Sequence, residues 1–194
     1  MQVRSVLFAL VVFAVVVTLA LTGVAAAQAP TRGATQASAR GVQASAPAAR
    51  LHGNLIQVMR GVIYPASNVV FFAQAGDPAA VKQAADPSIA TDPLESAYGG
   101  WLAVENAGLA LAESANLLTI PGRVCSNGRP APLQRADWAK FVQGLRAAGM
   151  SAYKAAQSKN QDNVVEAAGE VSEACANCHD VYREKPKLAD RCLP

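Results

Sequence analysis

The chain has 194 residues, a net charge of +3, and 16% charged against 52% hydrophobic residues. That is enough to build one ordinary core once a leader is set aside. Its lysines and arginines are scattered, with no basic run interleaved with aromatic residues, which argues against a nucleic-acid-binding surface.

Residues 1–27 read as an export signal. Arg4 gives a positive start, Val6 to Leu21 is apolar apart from Thr18, and Ala25-Ala26-Ala27 offers a small-residue cleavage site before Gln28. The apolar stretch is slightly long for a signal, so an uncleaved membrane anchor is the alternative. Either reading places the remainder outside the cytoplasm, and a periplasmic protein is expected. Residues 28–50 are rich in Ala, Ser, Gln, Gly and Pro, with Val42 the one large apolar residue, and read as a flexible leader. Residues 51–194 form the folded domain.

A first helix is predicted over 51–74, where Leu51, Leu55, Met59, Val62 and Ile63 share a face. Pro65 removes a hydrogen bond, so this helix is expected to bend or split after Tyr64. Asp77-Pro78, Asp86-Pro87 and Asp92-Pro93 then mark a loop with room for a short helix over 79–85. A second helix is predicted over 93–118, with Asp92 as cap and Glu95 completing a capping box. Its stripe is Tyr98, Trp101, Leu102, Glu105, Leu109 and Ala112. Gly99, Gly100 and Gly108 cost roughly 1 kcal/mol each relative to Ala in a helix. They read either as tolerated or as the close approach of another helix or a flat cofactor.

A third helix is predicted over 133–157, on Trp138, Phe141, Val142, Leu145, Gly149, Ala152, Tyr153 and Ala156. A fourth is predicted over 160–185, with Val164, Ala168, Val171, Cys175, Cys178 and Tyr182 inward and Pro186 closing it. No alternating strand signal and no internal repeat is present. Short connections then give an all-α, antiparallel up-down-up-down four-helix bundle.

The chemistry lies in Cys175-Ala176-Asn177-Cys178-His179. Cys-x-x-Cys-His is the spacing for covalent haem c: each thiol adds to one vinyl group, and the histidine ligates the iron. On a helix the three residues stand at i, i+3 and i+4 and face one way. Other readings fit less well. A thioredoxin-like pair needs a βαβ context. A zinc site would have to recruit Cys192, and adjacent Cys178 and His179 converge poorly on a tetrahedral ion. A Cys175–Cys178 disulfide would strain a helix. Cys125 and Cys192 remain, and an even remainder in an exported chain points to a disulfide. In an alternating bundle the second and fourth helices end together, which makes this pairing reachable. Free thiols or an intermolecular bridge are the alternatives.

The string from Cys175 to Asp180, Val181, Tyr182 and Arg183 resembles the Cys-x-x-Cys-His-x-x-aromatic-Arg pattern of the cytochrome c′ family. The resemblance covers about residues 51–185 and is most specific at the motif end. It implies one haem, thioethers at Cys175 and Cys178, and His179 as proximal axial ligand. Arg183 is expected near the His179 ring, with Leu55, Val62, Trp101 and Tyr182 also in the haem environment. The family takes its distal residue from the first helix. A methionine there gives six-coordinate, low-spin iron suited to electron transfer, and a non-coordinating residue gives five-coordinate iron that binds NO or CO. Met59 is the only methionine in that helix and is the candidate distal ligand, with space-filling beside the ring as the alternative. His52 is expected at the surface and Met150 in packing. Pro65 departs from the family's straight first helix and bears on where Met59 points.

The expectation is a periplasmic electron carrier rather than an enzyme, working with a redox partner protein. The alternative is a five-coordinate haem module for NO or CO. Peroxidase chemistry would need a positioned His or Arg above the iron, and Arg60 is expected to point away. Arg183, Lys185 and Lys187 read as a solvated helix end, or as a docking patch for an acidic redox partner. The resemblance also implies a homodimer through the first and second helices.

Overall fold

The computed structural model describes residues 50–194; the export signal and nearly all of the leader lie outside the described residues. Helix α1 spans Leu55–Phe72. Asn54 opens it with a reciprocal capping box: its side chain accepts from Gln57 N–H, and the Gln57 side chain accepts from Asn54 N–H. Of the expected bend or split after Tyr64, the split does not occur. The backbone runs as an α segment Leu55–Val58, a π-helical turn Met59–Ile63 and an α segment Tyr64–Phe72. In the π turn Tyr64 N–H reaches back five residues to Met59 C=O. That turn takes up one extra residue, and Pro65 falls in the first turn of the following segment, where its missing N–H costs least. By length and composition α1 would also cross a membrane, with a mean hydropathy of 1.3. Its apolar side chains include the buried Val58, Ile63, Val69 and Val70.

The Asp-Pro steps become three 3₁₀ turns, Pro78–Ala80, Pro87–Ile89 and Pro93–Glu95, each capped by the preceding aspartate. Asp92 therefore caps a 3₁₀ turn, and helix α2 starts later than expected, at Trp101–Leu117. Gly100 explains the break: its φ of +58° is open to glycine and strained for other residues. Helix α3 spans Ala136–Ser158 and helix α4 spans Gln161–Tyr182. Asn160 caps α4 by accepting from Asp162 N–H at 2.8 Å. Among the described residues there is no strand, only an isolated bridge between Val124 and Pro130.

Contacts at the helix ends fix the direction of each helix. Leu55 N–H, opening α1, donates to Val124 C=O at 2.8 Å, just past the end of α2. The buried Arg123 joins the same two ends, donating to Gly53 C=O at 2.7 Å and Leu117 C=O at 3.1 Å. Trp138, in the first turn of α3, donates its indole N–H to Leu118 C=O at 3.2 Å. The Cys125–Cys192 disulfide brings the end of α4 to that same end. At the other end, Gln161 of α4 donates to Ala73 C=O, past α1. The helices thus alternate in direction, as the short connections implied.

Helices α2 and α3 make the closest pair. A Cβ on Gly108 would collide with Tyr153 N, and one on Gly149 would stand 2.5 Å from Ala112 N. The glycine at 108 therefore serves helix contact, not a cofactor. Gly108→Ala is expected to destabilise the fold by about 2 kcal/mol, because overpacking against backbone outweighs the gain in helix propensity. The urea midpoint of unfolding measures it.

The Cys125–Cys192 bridge closes a segment with a sequence separation of 67. The Cys125→Ala/Cys192→Ala pair is expected to lose up to about 4 kcal/mol on the chain-entropy view. Thermal unfolding with and without reductant checks the same quantity without mutation.

Candidate functional site

Helices α1 and α4 touch only sparsely, unlike the other neighbours in the bundle. Between them lies a cavity of about 710 Å³, within the range of small-molecule and cofactor sites. One wall belongs to α4 and carries Ser172, Cys175, Cys178, His179 and Tyr182, at helical spacing. The facing wall belongs to α1 and includes Met59, Ile63, Ser67 and Phe71, four residues apart. A spacing of four drifts by about 40° per step on a regular α-helix. The π turn starting at Met59 absorbs part of that drift and keeps the row together. Leu55, Ile56, Arg60 and Tyr64 complete the α1 side.

Cys175 and Cys178 are free and partly buried, not joined to each other. Burial pushes the Cys175 thiol up from its ordinary value. Burial, then neighbouring Cys175, raises Cys178 to about 11. Burial also lowers the His179 pKa, with Arg183 adding to it, so a neutral ring nitrogen is available as a ligand. Among the described residues no three His, Cys, Asp or Glu side chains cluster to hold a bare metal ion. The cavity has two thiols and an imidazole on one wall, a thioether on the other and a mainly apolar lining, the residue types that a covalently held iron porphyrin would use. The residues fit that group.

Tyr182 closes the floor. It is 4% exposed and packs edge-on against Trp138 at 5.3 Å between ring centres and against Phe141 at 6.2 Å. Its hydroxyl donates to Asp137 Oδ1 at 2.7 Å and accepts from Arg135 Nε at 2.9 Å. Arg135, then Tyr182, hold the Asp137 carboxyl down at about 2. A depressed carboxyl stabilises the fold above its unfolded value, near 3.9, and loses that contribution as pH falls towards 2. The stability gap between the parent and Asp137→Asn is therefore expected to be constant above pH 5 and to close between pH 4 and 2, as read by thermal melts.

Of the expected cofactor environment, Leu55, Tyr182 and Arg183 line the cavity with the motif and Met59. Val62 and Trp101 do not. Val62 is 38% exposed on the outer side of α1. Trp101 is the first residue of α2 and is not among the residues that line the cavity. Arg60 lies in the cavity wall, exposed at the rim, and is not turned away from it as expected. His52 is exposed, and neither it nor Met150 lines the cavity.

Several wall residues escaped the sequence reading. Ser172 could have been found one turn before Cys175, and Phe71 by extending the row from Met59. Arg191, which also faces the cavity beside the predicted Cys125–Cys192 disulfide, could not, because a C-terminal tail brings it there. Compared with family models, curated proteins and solved structures, the chain gives no match.

Proposed function

We propose that this chain is an exported electron carrier of the cytochrome c′ type, with one haem c held between α1 and α4. The observation that carries the reading is the cavity in which Cys175, Cys178 and His179 line one wall and Met59 the other. When bound, the haem supplies a reversible one-electron Fe(III)/Fe(II) couple. Cys175 and Cys178 would hold it by two thioether bonds, and His179 would supply a nitrogen ligand to the iron. Met59 would supply a sulfur ligand, which would favour the low-spin, electron-transferring form. Leu55, Ile56, Ile63 and Phe71 keep water from the ring faces, and a dry lining reduces solvent reorganisation when charge changes.

The Cys125–Cys192 disulfide supports an oxidising compartment, consistent with the periplasm. Arg60 and Arg183 at the rim, followed by Lys185 and Lys187, offer a basic surface to an acidic redox partner. Val62, Phe72, Leu102 and Leu109 are exposed on α1 and α2, which supports a homodimer through those helices. The carrier role needs no acid–base residue.

A second reading is a five-coordinate module for NO or CO. Leu55, Ile56 and Ile63 share the wall with Met59, and none of them can ligate iron.

Potentiometric titration of the purified mature protein tests the proposal. One pyridine-haemochrome equivalent per chain and a reversible one-electron wave are expected. A chain with no covalently bound haem would sink it.

A further inference from the structure

We infer that Arg191 is the carboxylate-binding residue of this cavity, and that the Cys125–Cys192 disulfide holds it in place. The inference rests on the covalent-haem reading above, since the carboxylates in question are the porphyrin propionates. Arg191 lines the cavity beside Cys192, and its Nε is shielded from water with no hydrogen-bond partner among the described residues. An unpaired buried guanidinium N–H is costly, and a carboxylate in the cavity satisfies it once the side chain turns to open Nε, taking Nε and Nη together. The other cations in the wall are placed differently. Arg183 already donates to Glu184 Oε1 at 2.6 Å, and Glu184 is the one acidic side chain in the wall. Arg60 is exposed.

Arg191 does not reach the cavity along a helix. After α4 the chain folds back, and Asn127 Nδ2 donates to the carbonyls of Leu188, Ala189 and Arg191 at 3.0–3.2 Å. Arg129 Nε donates to Ala189 C=O at 3.0 Å. Cys192 N–H donates to Tyr182 C=O at 2.8 Å, and the disulfide locks the turn to Cys125. The loop after α2 thus grips the tail on both sides of Arg191.

The test uses the haem-loaded protein and compares Arg191→Gln, Arg191→Lys and Cys125→Ala/Cys192→Ala with the parent. Haem content and midpoint potential are both read. Arg191→Gln is expected to keep one haem per chain and to lower the midpoint potential, because an uncompensated propionate favours oxidised iron. Arg191→Lys restores most of the shift. Loss of the disulfide reproduces it, and adding Arg191→Gln to that variant lowers it no further, the non-additivity expected when two changes remove one interaction. A midpoint in Arg191→Gln equal to the parent's overturns the assignment, whether or not the double-cysteine variant folds. A shift in Arg191→Gln that is merely additive with disulfide loss overturns the role of the bridge. A parent without covalent haem removes the reading itself, and the inference with it.

Discussion

The Cys175→Ala/Cys178→Ala chain is expected to go from one acid-acetone-resistant haem per molecule to none. Both thiols sit on the same wall of the cavity, and each single variant retains one point of attachment. Single variants are therefore expected to keep covalent haem, with an α-band displaced by the remaining vinyl group. The fold should survive, because a partly buried Cys→Ala change removes little volume and costs about 1 kcal/mol. The state of the thiols adds a second expectation. With Cys178 raised to about 11, the folded chain holds little thiolate at neutral pH. Free haem added to folded apoprotein at pH 7 should therefore give little covalent product, as denaturing gels stained for haem would show.

Met59→Ala is expected to change the iron from low-spin six-coordinate to high-spin five-coordinate while leaving haem content at one per chain. The reduced variant should bind carbon monoxide stoichiometrically where the parent does not. Its midpoint potential should fall, since a thioether ligand stabilises the reduced iron. Met59→Leu separates ligation from packing. It conserves volume, which core sites tolerate at less than about 1.5 kcal/mol, and yet removes the sulfur. Agreement between the alanine and leucine spectra, with stability retained only in leucine, assigns the effect to the lost ligand.

The features that were legible in the sequence are those set by local spacing. Cys175, Cys178 and His179 share a face because α4 is a regular helix from Gln161 to Tyr182. The bundle followed from four apolar periodicities and short connections, and the disulfide from the alternation of helix directions. Where the backbone leaves regular geometry, spacing misled. The π turn changed the register of α1, so Arg60 entered the cavity wall and Val62 stayed outside. Gly100 delayed α2, so Trp101 became its first residue and stands outside the cavity lining. Arg191 depends on Asn127, more than sixty residues earlier in the chain. No periodicity carries that kind of information.

The most direct measurement is the optical spectrum of the oxidised and reduced protein, before and after carbon monoxide. Ligation by His179 and Met59 predicts low-spin bands in both states and no shift of the Soret band on mixing with the gas. A high-spin starting spectrum with immediate, tight carbon monoxide binding would contradict Met59 ligation. The absence of any haem absorption would contradict the cavity's assignment as a haem site.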